Sequence, residues 1–165
     1  KVNWKFTKMK KILLLLLAFS VSSNLFSQYT NITISTTNNP NEPSICINPK
    51  NLNQIIAADN SFSSYSSTNS GLNWTRLNMT CSYGFSGDPC IIVDTTSAFY
   101  YFHLSSGGGA YWLDRMVCQK STNIGASWSN GTFFGFNHPK DQDKEWAVVD
   151  PRNNHIYVTW TQFDV

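Results

Sequence analysis

One octapeptide occurs twice in this chain and limits what it can fold into more than any bulk property does. Ser67-Thr68-Asn69-Ser70-Gly71-Leu72-Asn73-Trp74 returns as Ser121-Thr122-Asn123-Ile124-Gly125-Ala126-Ser127-Trp128. Ser and Asn side chains bond nearby backbone groups and glycine takes a positive φ at no steric cost, so each copy reads as a tight turn with its Trp packed beneath. A second motif recurs out of phase with the first: Glu42-Pro43-Ser44-Ile45-Cys46-Ile47-Asn48, then Asp88-Pro89-Cys90-Ile91-Ile92-Val93-Asp94, then Glu145-Trp146-Ala147-Val148-Val149-Asp150. Each acid leads a short apolar strand, a Pro/Asn/Asp turn and a second strand, at Gln54 to Ala58, Ala98 to Leu104 and His155 to Thr161. A third strand enters each octapeptide and a fourth leaves it. The result is a four-stranded antiparallel unit, complete twice and begun a third time. Four-stranded repeats of this length describe the blades of a β-propeller, here about two and a half of them. The competing all-β arrangement is a sandwich, which has no need of the same turn at equivalent places.

Composition supports an all-β reading. Charged residues are scarce while Ser, Thr, Asn, Gly and aromatics are plentiful, which suits strands and tight turns. The net charge of +2 is small, and Lys1, Lys5, Lys8, Lys10 and Lys11 crowd the N-terminus, so no basic face remains for nucleic acid. Met9-Lys10-Lys11 followed by the apolar run Ile12 to Phe19 and small polar residues through Ser27 has the layout of a secretory signal peptide, with cleavage expected before Gln28. Met9 is the expected start, and the ending Leu25-Phe26-Ser27-Gln28 resembles bacterial export signals of the Bacteroidetes type. The apolar run is short of the ~20 residues a stable membrane span needs, although an N-terminal anchor is the competing interpretation. Residues 1–27 are thus an extension and signal, residues 28–165 a partial propeller domain, and the expected location is secreted, periplasmic or cell-surface. Export permits disulfides. Cys90 and Cys118, on the first and third strands of one unit, lie two strand spacings apart and out of bridging reach, and four cysteines allow three full pairings. Free buried thiols are the default expectation.

Propeller geometry sorts the remaining residues by face. The starts of the first strands, the loops between second and third strands and the connections between units share the face opposite the octapeptide turns. Glu42, Asp88 and Glu145 are therefore expected to ring one mouth of a central channel, as catalytic candidates or as caps for strand N–H groups. The same face receives the glycine run Gly107-Gly108-Gly109 with Tyr111 and Trp112, preceded by His103. These three are candidate sugar-binding side chains, since aromatic faces beside carboxylates suit a glycan; the alternative for Trp112 is packing against a neighbouring unit. Asp141, Asp143 and Glu145 lack the rest of a calcium loop, no Cys-x-x-Cys suggests zinc, and neither a metal nor a cofactor is expected.

The octapeptide resembles the Asp-box, or BNR, motif Ser-x-Asp-x-Gly-x-x-Trp of the sialidase-like propellers, with Ser67, Asn69, Gly71 and Trp74, and again Ser121, Asn123, Gly125 and Trp128, at its positions and Asn in place of Asp. The resemblance spans essentially all of residues 28–165. It implies that the boxes are structural turns on the outside of the blades, and that the intact protein hydrolyses or binds extracellular glycans or glycoproteins; the other class is a non-catalytic, protein-binding or adhesive propeller at the cell surface. Sialidases hold the substrate carboxylate with three arginines and use a Tyr nucleophile paired with Glu and an Asp acid/base. Their first arginine opens the first blade in an Arg-Ile-Pro motif, where this chain reads Asn41-Glu42-Pro43. An acid there repels a sialic acid carboxylate. Arg76 and Arg115 fall near outer strands and Arg152 at the other rim. The resemblance places the Tyr, Glu and remaining arginines in blades beyond Val165. Oligomeric state is left open.

Overall fold

The computed structural model describes residues 30–106 and 112–164. The expected signal peptide, Tyr111 and the glycine run before it lie outside the described residues. Ten strands follow one another: β1 Ser44–Ile47, β2 Ile55–Asp59, β3 Ser63–Ser67, β4 Thr75–Asn78, β5 Cys90–Val93, β6 Phe99–Ser106, β7 Trp112–Ser121, β8 Thr132–Phe134, β9 Asp141–Val149 and β10 Ile156–Phe163. All belong to one unit, Ile32–Val165, and no helix occurs among the described residues.

Every strand pairs antiparallel with its neighbour in sequence. The sheets run β1-β2-β3-β4 and β5-β6-β7-β8, with β9 and β10 forming a third, two-stranded sheet, and none closes on itself. This is the repeat read from the sequence, two full four-stranded sheets and the first hairpin of another. β1 lies against β5 and β5 against β9, so the sheets pack in chain order with their first strands adjacent. Hydrogen bonds step across these seams from first strand to first strand: Ile91 N–H donates to Ser44 Oγ at 2.9 Å, and Ala147 N–H donates to Cys90 Sγ at 3.4 Å. Between the first and second sheets the core is built from Ile56, Ala58, Met79, Ile91, Phe99 and Tyr101. Between the second and third it contains Cys90, Ile92, Phe102 and Ala147. Alternation along β6 explains the division: Phe99 and Tyr101 point to one seam and Phe102 to the other, so both faces of this strand are covered.

The octapeptides form matching turns between β3 and β4 and between β7 and β8. Ser67 Oγ accepts from Gly71 N–H at 2.9 Å and donates to Asn69 Oδ1 at 3.0 Å, while Asn69 Oδ1 accepts from Asn73 N–H at 2.9 Å. In the second copy Ser121 Oγ accepts from Gly125 N–H at 2.9 Å and donates to Asn123 Oδ1 at 2.9 Å, and Asn123 Oδ1 accepts from Ser127 N–H at 3.0 Å. The oxygen that matters is common to Asn and Asp, which is why Asn69 and Asn123 serve. Gly71 and Gly125 have φ of +82° and +74°, where a Cβ is strained. The two indoles differ in partner. Trp74 Nε1 donates to Gly71 O within its own turn, whereas Trp128 Nε1 reaches the first sheet, donating to Ser64 Oγ at 3.1 Å, and its ring meets Tyr101 edge-on.

All four thiols are free: Cys90 is buried and Cys46, Cys81 and Cys118 are half-buried. Cys90 and Cys118 both lie opposite Phe102, from either side, the separation expected from the strand order.

Candidate functional site

The first strands are anchored by a repeated turn that fixes their phase. Asn48, Asp94 and Asp150 each accept, through Oδ1, the N–H two residues on, from Lys50, Thr96 and Arg152. Counting back from these anchors, Glu42 corresponds to Asp88 and then to Lys144, not to Glu145. The backbone agrees, because Glu42, Asp88 and Lys144 have φ of 48°, 51° and 50°. The expected equivalence of Glu145 with the other two acids is therefore corrected by one residue. Such a slip moves a side chain to the other face of its strand, and Glu145 takes the place of Pro43 and Pro89.

The three acids nonetheless converge. Glu42, Asp88, Lys144 and Glu145, with Pro43, Pro89 and Trp146, line one pocket of about 200 Å³. Lys144, standing where the repeat elsewhere supplies an acid, sets its ammonium 3.3 Å from Glu42 Oε2 and 3.5 Å from Asp88 Oδ2. Asn60, just after β2, braces the same mouth: its Nδ2 donates to Glu42 Oε2 at 2.8 Å and its Oδ1 accepts from Asp88 N–H at 2.6 Å. Lys144 and Asn60 went unrecognised in the sequence. The Asn/Asp anchors six residues after each position were the signal that identifies the lysine.

The carboxyls sit in different electrostatic states. A hydrogen bond from Asp88, then those from Asn60 and Lys144, hold Glu42 down at about 2. Burial, then the neighbouring Glu42, push Asp88 up to about 6 against the pull of Lys144. Glu145 is 3% exposed, neither of its oxygens has a hydrogen-bond partner, and burial pushes it up to about 8. A carboxyl that keeps its proton near neutrality beside one that is ionised is a pairing suited to acid/base work.

Of the aromatic candidates, Trp112 lies 56% exposed at the start of β7, with its indole N–H donating to Ser86 Oγ at 2.9 Å, two residues before Asp88 in the chain. It is thereby tied to the segment that leads into the pocket. Tyr111 lies outside the described residues. His103 is a correction: β6 runs on to Ser106, so this residue sits within the strand, not at its exit. It is fully buried, its ring stacks on Phe85 at 3.9 Å, and its Nδ1 donates to Leu104 O. Burial holds its pKa down at about 4, and it has no surface from which to meet a glycan. The arginines are engaged elsewhere, Arg76 with Ser63, Arg115 with Asp114 and the rings of Phe133 and Phe136, and Arg152 with Asp150. Among the described residues no group of three or more His, Cys, Asp or Glu is placed to hold a metal, and no helix is long and apolar enough to cross a membrane.

No protein-family model matches the chain, and no curated protein is detectably similar to it.

Proposed function

We propose that the protein is an exported, sialidase-like Asp-box propeller that binds or hydrolyses extracellular glycans at the mouth formed by Glu42, Asp88 and Glu145. The observation that carries this reading is convergence. Residues from the starts of three successive sheets line one pocket, and the exposed Trp112 indole is hydrogen-bonded to Ser86, on the segment that leads to Asp88. Carboxyl groups supply hydroxyl partners and Trp112 supplies an apolar ring, the two components of a sugar site. The repeated turn and the adjacent first strands support the blade arrangement, and the signal-like N-terminus supports export.

Retention of the complete chain on an immobilised glycan panel tests this reading. Binding that falls at least about tenfold in Trp112→Ala, as loss of one aromatic anchor predicts, supports it. Unchanged retention in that variant removes Trp112 from the site. A sialoside hydrolysis assay separates enzyme from binder.

The second reading, a protein-binding propeller scaffold without catalysis, is favoured by Glu42 at the position where sialidases place an arginine and by the engagement of Arg76, Arg115 and Arg152 elsewhere. Absence of both glycan retention and sialoside turnover in the complete chain selects it.

A further inference from the structure

The seams between sheets follow one rule of position. In the phase set by the Asn48, Asp94 and Asp150 turns, Ser44, Cys90 and Trp146 are equivalent, as are Ile45, Ile91 and Ala147. The side chains of Ser44 and Cys90 accept the N–H groups of Ile91 and Ala147, each on the next first strand. Neighbours along a strand point to opposite sides, so every sheet has a forward face, with Ser44 and Cys46 or their equivalents, and a rear face, with Ile45 and Ile47 or theirs. Both seams join a forward face to a rear one. Ile56 and Ala58 meet Ile91, Phe99 and Tyr101, and Cys90, Ile92 and Phe102 meet Ala147, Val149, Ile156 and Val158.

The same rule leaves two faces over, and both are apolar. On the rear of the first sheet Ile45 and Ile47 are 59% and 49% exposed; on the front of the third, Trp146, Val148 and Tyr157 are 67%, 53% and 56% exposed. Exposed apolar surface of this kind marks an interaction site. The two faces also match in shape. Ala57 lies directly opposite Ile45, and with Ile34, Pro40, Pro43 and Tyr65 it lines a largely apolar pocket of about 180 Å³. Trp146 is the residue that the seams set against Ile45, and it replaces the small Ser44 and Cys90 of the earlier sheets with an indole that such a pocket accommodates.

We propose that the front of the third sheet in one copy of this chain docks on the rear of the first sheet in a second copy, continuing the seams already present within each chain. Two unlike patches meet, so the contact is heterologous and repeats until it closes. Two copies of three sheets bring six together, within the roughly four to eight of a closed propeller, and the second contact returns to the first copy. The contact rests on the seams within the chain and is independent of the glycan reading; closure at two copies rests on the blade arrangement proposed above.

Sedimentation equilibrium of the complete chain tests this, with Ile47→Lys and Val148→Glu, two exposed positions that the seams set against each other. The native chain should sediment with twice the mass of one chain. Each variant alone buries an unpaired charge at both contacts of the pair and should weaken association at least about a hundredfold. An equimolar mixture of the two should recover the pair, because one contact is then native and the other sets the introduced ammonium against the introduced carboxylate. Recovery also shows that both variants are folded. A monomeric native chain overturns the proposal and gives the two faces to another occupant, further sheets of a longer protein or a different partner. Association lost in only one variant or in neither overturns the head-to-tail geometry, as does a mixture that stays monomeric. Assemblies larger than two overturn the closed pair and the blade count with it, while glycan retention is read separately.

Discussion

Glu145→Gln makes a stability prediction that does not depend on any ligand. Glu145 is held near pKa 8 by burial, against an ordinary value of 4.5. A carboxyl whose folded pKa lies above its unfolded one keeps its proton in the folded chain after the unfolded chain has released it. Folding therefore becomes steadily less favourable as pH rises from 4.5 to about 8. The loss amounts to about 3 kcal/mol by neutral pH and approaches ~4–5 kcal/mol above pH 8. Asp88 acts in the same direction over a lower window, from its ordinary 3.8 up to about 6, and is present in both proteins. Glu42, held down at about 2, acts oppositely and only in acid, its contribution being lost as pH falls from 4.5 through 2. The glutamine removes the Glu145 component alone. Denaturant unfolding of both proteins at about pH 5 and 8 should show the native chain losing roughly 3–4 kcal/mol more than the variant over that interval. Parallel profiles would refute a buried, proton-retaining Glu145, and the reasoning about its vacant oxygens would fall with it.

Further predictions bear on the repeat itself. Ser121→Ala removes the oxygen that accepts from Gly125 N–H and donates to Asn123, and should cost about 1–2 kcal/mol in chemical denaturation. Gly125→Ala combines a φ of +74° with a Cβ 3.1 Å from Ile56 Cδ1, whereas Gly71→Ala meets nothing closer than 3.5 Å, so the first should lower the melting temperature more than the second. Lys144→Met should alter stability by less than ~1 kcal/mol, because the lysine itself is largely exposed, yet raise the titration midpoint of Asp88 as followed by carboxyl NMR.

Much of the fold was legible because the repeat carries its own punctuation. The octapeptides marked the turns between third and fourth strands, and the short apolar runs after Pro43 and Pro89 marked the first strands. The third repeat misled because Glu145-Trp146-Ala147-Val148 imitates the acid-led start of its predecessors one residue out of phase. A short apolar run that does not alternate gives no sign of a shift of one without a fixed point, and that point was the Asn48, Asp94 and Asp150 turn. His103 was misplaced for a related reason: β6 continues past the apolar run through Ser105 and Ser106, small polar residues that read as loop, with Ser106 opposite Trp112 of β7 and Ser105 at the register irregularity before it. The convergence of Glu42 and Asp88 followed from topology. The burial of Glu145 did not, since it depends on which side of β9 its one-residue offset places it.

The pairing of every strand with its sequence neighbour also has a kinetic consequence. Each sheet is a meander closed by short turns, so its hydrogen bonds join residues close along the chain, the low-contact-order arrangement that favours rapid β-folding. The costly steps are then the dockings of one finished sheet on the next, where Ser64 waits for Trp128 and Ser44 for Ile91. A chain that emerges N-terminus first during synthesis can assemble in that order, with the first sheet formed before the second docks on it.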